Sequence, residues 1–213
     1  WRTLGLDVTG GGVVRFDRNY RNTQQIAQLA KAVTDTPQFT EGIELVRAAE
    51  PAAVGIKPLL VRAETLENQL AQAAKFANNL AYDRRTRAAD QRVAVLMPTD
   101  NLSGRLAGKL DRPIRVHLHK SMPRWDRRPG IFYGPYAEAR GLEFHSVILP
   151  FCDEKGLPRP EAIEAFGLDE AKVRQARELY VAITRARTNL VIIHSSRITG
   201  LLPQEDSDLY ERA

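Results

Sequence analysis

Three segments, far apart in the chain, put cations and polar groups where a backbone element begins or ends. They are Asn19, Tyr20 and Arg21; the run 139–144, which reads ARGLEF; and the run 180–187, which reads YVAITRAR. Element termini at the edge of an α/β sheet are where such folds gather ligands. An arginine guanidinium there is planar, stays ionised, and presents paired N–H donors that suit an anion. Taken singly, each residue has a plainer explanation: Tyr20 can cover the edge of a core, Arg21 and Arg185 can be solvated helix charges, and Glu143 can pair with any nearby Lys or Arg.

Other candidate motifs fail on spacing. Residues 104–109 read GRLAGK, but a phosphate loop needs four residues between its glycines and Ser or Thr after the Lys; here there are three, followed by Leu110. The segment reads better as an amphipathic helix with Asn101 and Ser103 as capping residues. Asp153 and Glu154 resemble a magnesium-binding acidic pair, yet residues 150–152 displace them from the preceding strand end, and no phosphate loop accompanies them. Gly10, Gly11 and Gly12 precede a strand instead of opening a helix, which favours a hairpin turn over a dinucleotide fingerprint. His117 and His119 alternate on a strand without a third ligand, so no metal site is expected. The single cysteine, Cys152, excludes an internal disulfide and reads as a small buried side chain.

The elements that must position these groups follow from periodicity. Short β-branched runs alternate with helical patterns along the whole chain, the mark of an α/β fold with a mostly parallel sheet flanked by helices. Strands are expected near 13–16, 59–62, 93–97, 114–118, 131–133, 146–149 and 189–194. One helix places Ile26, Leu29, Ala30 and Val33 on one face, with Asn22 or Thr23 as its cap. A second aligns Leu70, Ala73, Phe76, Ala77 and Leu80, and a last long helix runs from Asp169, its expected N-cap, toward Arg187. Loops are expected at 37–41, 84–91, 121–130 and 156–160, and a polar, frayed tail from Pro203 to Ala213.

With 213 residues, 43% hydrophobic and 27% charged, the chain suits one well-cored domain. A net charge of +5 permits a polyanionic partner without requiring one. The apolar runs are too short to span a membrane, and the start at Trp1, Arg2 and Thr3, with no initiating Met, reads as a fragment of a longer protein.

NYR before a helix, GLEF before a strand, and YVAITRAR at a helix end, in that order, resemble motifs IV, V and VI of the superfamily 1 helicases of the UvrD/Rep/PcrA type. The resemblance covers roughly residues 13–195. It implies a RecA-like domain, the second of two motor domains, spanning 1–200 without a large 2B insertion or a phosphate loop of its own, followed by a polar tail at 201–213. By that resemblance Tyr20 stacks on adenine, Arg21 reaches the γ-phosphate, Glu143 beside Gly141 contacts the ribose, and Arg185 is an arginine finger. Such a finger places positive charge where negative charge spreads over the γ-phosphoryl oxygens, and is worth about a thousandfold to a hundred-thousandfold in rate. The implied nucleotide is ATP with Mg2+, the metal held mainly by an N-terminal RecA-like domain of the same polypeptide, so this part alone is expected to be inactive. The implied partner is single-stranded or partly duplex DNA, the compartment cytoplasmic, with no membrane involved.

The chain departs from the usual motif V, T-x-H-x-A-K-G-L-E-F. Aligned on Gly141, Pro135 stands at the threonine, Ala137 at the histidine and Arg140 at the lysine. Those side chains lie on the DNA side in relatives, so strand binding is expected to be weaker, differently made or abandoned. The loop with Trp125, Arg127 and Arg128 offers a base-stacking ring among cations, or else a Trp packed on the sheet edge with solvated arginines around it. An alternative reading is a degenerate RecA-like module that binds a protein or nucleic acid without ATP turnover.

Overall fold

The computed structural model describes residues 22–35, 53–82, 92–111, 115–120 and 129–213. The expected strand at 13–16, the glycine run 10–12, and Asn19, Tyr20, Arg21, Trp125, Arg127 and Arg128 lie outside the described residues.

Seven strands form one sheet: β1 (Leu59–Arg62), β2 (Arg92–Met97), β3 (Arg115–His117), β4 (Gly130–Pro135), β5 (Phe144–Leu149), β6 (Ala186–His194) and β7 (Glu211–Arg212). Their order is β3-β4-β2-β5-β6-β1-β7, and every pairing is parallel. Helices α1 (Gln24–Thr34), α2 (Leu66–Ala81), α3 (Ser103–Ala107), α4 (Pro160–Phe166) and α5 (Leu168–Thr184), with a 3-10 turn at Tyr136–Ala139, complete the described elements.

Both faces of the sheet are covered, and strand alternation shows it. In β2, Ala94 and Leu96 join the core under α1 and α5, while Val93, Val95 and Met97 join the core under α2 and α3. Successive side chains of a strand point to opposite faces, so an apolar run such as 93–97 requires two apolar layers. The face read for α1 is buried as expected, Ile26, Leu29, Ala30 and Val33 all being enclosed. In α2 the stripe is rotated: Leu70, Ala73 and Ala77 are buried together with Gln69, Ala74 and Ala81, while Phe76 and Leu80 pack at its margin. Alanines let the helix lie close to the sheet, which leaves the bulkier side chains at the flanks.

The expected polar tail is corrected. Leu201, Leu202 and Tyr210 are buried in the first core, and β7 adds a parallel strand beside β1, with Glu211 N–H donating to Pro58 O at 2.9 Å and Ala213 N–H to Leu60 O at 3.2 Å. Three apolar side chains among polar neighbours suffice because the sheet edge supplies the main-chain partners. Helix α4 has Pro160 in its first turn with Glu161 beside it, a helix-start signature within a segment read as loop up to Pro160. The N-cap of α5 is Gly167, not Asp169, which sits in the first turn. The helix expected over 104–109 is present as α3, which ends at Ala107 and has Leu102, not Asn101 or Ser103, as its N-cap, while the Ser103 hydroxyl donates to Asp100 at 2.5 Å.

Candidate functional site

Helix α5 must dispose of the carbonyls of its last turn. Val181 O accepts from Arg185 Nε at 3.1 Å and from the Thr184 hydroxyl at 3.0 Å. Ala182 O accepts the Arg185 backbone N–H at 3.2 Å, and Thr184 O accepts Asn22 Nδ2 at 3.1 Å. The Arg185 guanidinium also donates through Nη1 to Leu142 O at 3.1 Å and through Nη2 to Thr184 Oγ1 at 3.3 Å. Only 9% exposed, it is a buried cation at the negative end of a helix dipole, where its charge is favourable and its hydrogen bonds offset desolvation.

The second segment meets the first through the main chain. Phe144 N–H donates to Arg185 O at 2.9 Å, which sets the start of β5 against the start of β6. Before it, Gly141 adopts φ +78°, a left-handed conformation that a side chain would strain. That turn directs Leu142 O toward Arg185 and leaves Glu143 half-buried, while Arg140 and Gly141 are exposed.

Asn22, the first described residue of the chain, joins the same junction. Its buried side-chain amide donates to Thr184 O and to Ala186 O, the latter at 2.5 Å, and Thr23 N–H donates to Arg187 O at 3.2 Å. The residue that follows Arg21 in sequence is thereby fixed to the backbone on both sides of Arg185. The sequence suggested only a capping role for Asn22; Thr23 is the N-cap of α1, and it makes no side-chain cap bond. Among the described residues the structure thus brings together the 139–144 and 180–187 segments, with Gly141, Glu143 and Arg185, and sets Asn22 beside them. They gather at the amino ends of β5 and β6, not at the carboxyl ends where open α/β sheets ordinarily bind ligands.

At the carboxyl ends of β2 and β4 lies a separate cleft of about 460 Å³, lined in part by Thr99, Asp100, Asn101, Pro135, Ala137 and Arg159. Glu161 and Glu178 also line it, so three carboxylates face one guanidinium, and Arg159 is already 3.6 Å from Glu178. Pro135 and Ala137 are therefore both in this cleft. His117, on the edge strand β3, spends Nε2 on Asp100 at 2.8 Å and stacks on Tyr133.

Asp153 is engaged structurally. Its carboxylate accepts the N–H groups of Ser195 (2.5 Å) and Ser196 (2.8 Å) and the Gln69 amide (2.8 Å). Burial pushes its pKa up, but those bonds outweigh burial and hold it below the usual carboxylate range. Gln69 also accepts Phe151 N–H at 2.7 Å, steadying a non-glycine residue at φ +65°. Cys152 is fully enclosed, and burial pushes its thiol up to about 12, far from a reactive thiolate.

The family model of the UvrD-like helicase C-terminal domain matches residues 137–197, which contain Gly141, Glu143 and Arg185. No curated protein matches the chain. Among solved structures, the C-terminal domain of a possible DNA helicase from Lactobacillus plantarum WCFS1 has the same fold, with a TM-score of 0.58 at 20% identity over 91% of this chain and 98% of that one. The parallel sheet with helices on both faces is a RecA-like α/β fold. None of the helices among the described residues is long and apolar enough to cross a membrane.

Proposed function

We propose, for a chain that carries a UvrD-like helicase C-terminal domain at residues 137–197, that it is the second motor domain of an ATP-dependent DNA helicase or translocase. One observation carries the reading: Asn22, the 139–144 segment and the 180–187 segment are joined at one spot around Arg185 by side-chain and main-chain hydrogen bonds. A buried guanidinium at that spot, with N–H donors in a fixed fork, has the chemistry to meet a phosphate.

In this reading Arg185 and Arg21 are the catalytic cations, and Tyr20, Gly141 and Glu143 complete the nucleotide contacts. ATP with Mg2+ supplies the phosphoryl group and the neutralising metal. The phosphate cradle and the metal's ligands belong to an N-terminal RecA-like domain of the same polypeptide; among the described residues Asp153 cannot serve, because Ser195, Ser196 and Gln69 already occupy it. Arg185 holds Val181 O of α5 and Leu142 O of the 139–143 turn, which anchors its guanidinium at this end of the sheet. Single-stranded or partly duplex DNA is the track, and the cytoplasm the compartment.

The test compares ATP turnover of the full-length polypeptide, with and without single-stranded DNA, against Arg185→Ala, with melting temperatures measured alongside because Arg185 is also structural. Turnover falling by about a thousandfold or more in a folded variant supports the finger. Unchanged turnover sinks it.

A second reading, a RecA-like module that binds a partner without turnover, is favoured by the cleft: Pro135 and Ala137 lack the family's polar groups there, and the carboxylates around them repel a phosphate backbone. Absence of hydrolysis in the unmutated full-length polypeptide would make that the better account.

A further inference from the structure

We propose that Asn22 is a positioning residue for Arg185, a role that rests on the reading of Arg185 as the cation for the γ-phosphate. The two carbonyls it bonds, Thr184 O at 3.1 Å and Ala186 O at 2.5 Å, belong to the residues immediately before and after Arg185, more than 160 positions away in sequence. An asparagine amide has two N–H donors on one nitrogen, and here one side chain reaches both acceptors. The bridge fixes the backbone at the point where α5 ends and β6 begins, which is where the Arg185 side chain is rooted.

A helix end is ordinarily a place of fraying and variable geometry. Here the last carbonyl of α5 and the first of β6 are held by one buried amide, 5% exposed, and Thr23 N–H continues the attachment to Arg187 O at 3.2 Å. The bridge therefore gives Arg185 a fixed backbone frame. Misplacing a charge by about 1 Å can cost about a hundredfold in rate, which makes such a frame consequential. Serine, with a single O–H, can satisfy one of the two carbonyls; alanine satisfies neither; aspartate would set a carboxylate against both.

The plain alternative is that Asn22 staples α1 to the sheet and does nothing further. A double-mutant cycle on the full-length polypeptide separates the two. ATP turnover, and equilibrium affinity for a non-hydrolysable ATP analogue relative to ADP, are measured for the unmutated protein, Asn22→Ala, Arg185→Ala and the double variant. The expected result is a turnover loss of about tenfold to a hundredfold for Asn22→Ala, with weakened preference for the triphosphate and little change in ADP affinity. In the Arg185→Ala background the same substitution is expected to cost less than about twofold, since its effect passes through Arg185. Equal losses in both backgrounds, parallel weakening of both nucleotides, or no change at all would each reduce Asn22 to a staple while leaving the reading of Arg185 standing. If Arg185→Ala itself altered neither turnover nor triphosphate preference, the reading of Arg185 would fail and the positioning role with it. Should Asn22→Ala not fold, Asn22→Ser completes the cycle with one donor retained.

Discussion

At the amino edge of the sheet, Arg185 bonds Leu142 and Phe144 while Asn22 bonds the carbonyls of Thr184 and Ala186 on either side of it, whereas the carboxyl edge opens into a cleft of about 460 Å³ with three carboxylates among its lining residues. The eight residues 136–143 join the two: they leave β4 at Pro135 in the cleft and enter β5 at Phe144 beside Arg185. Along this one crossover the half nearest the cleft carries Pro135 and Ala137, with no polar side chain at either, and the half nearest Arg185 carries Gly-Leu-Glu-Phe. The difference teaches that the two halves need not change together. Arg185, Leu142 O and Phe144 N–H satisfy one another, so a change there would strand a buried charge or carbonyl. Pro135 is half-buried and Ala137 exposed, so substitutions at these positions leave no such orphan.

The comparison breaks most visibly at Arg185. Arg185→Ala should lower turnover by about a thousandfold or more while leaving single-stranded DNA affinity within about threefold, since the two edges are separate; a loss of strand affinity as large as the loss of turnover would show one continuous site. Restoring the cleft with Pro135→Thr and Ala137→His together should tighten strand binding by about tenfold, the scale of two added hydrogen bonds. Fluorescence anisotropy at two salt concentrations reads this directly, and no gain would mean that the strand runs elsewhere. Smaller again is Gly141→Ala. With φ at +78° and open space around its Cβ position, the cost is backbone strain alone, roughly 1–2 kcal/mol by chemical denaturation.

The last effect concerns the scaffold beneath both edges. Because the folded-state pKa of Asp153 lies below its unfolded value of about 3.9, its contribution to stability is present above that pH and is lost as pH falls through the folded value. Asp153→Asn should therefore flatten the acid limb of the stability curve, as urea melts from pH 6 to pH 3 can establish. An unaltered acid limb would assign the acid sensitivity to other carboxylates.

The sequence by itself determined the parallel α/β architecture, since two-sided apolar runs such as 93–97 demand helices on both faces. The buried stripe of α1 was equally legible, because residue type and local period carry that information. Phe76 and Leu80 were assigned to the buried face of α2 too readily, since how closely an alanine-rich helix approaches a sheet is a property of the pair. The C-terminal strand was invisible for a related reason: Leu201, Leu202 and Tyr210 have no regular period, and only the edge of β1 makes a strand of residues 211–212. At which edge Gly141, Glu143 and Arg185 gather, and that the amide of Asn22 clasps the backbone on both sides of Arg185, were decided by tertiary structure alone. Contacts between residues more than 160 positions apart leave no local signature; they exist because two buried carbonyls at a helix–strand junction must find a donor, and folding brings one there.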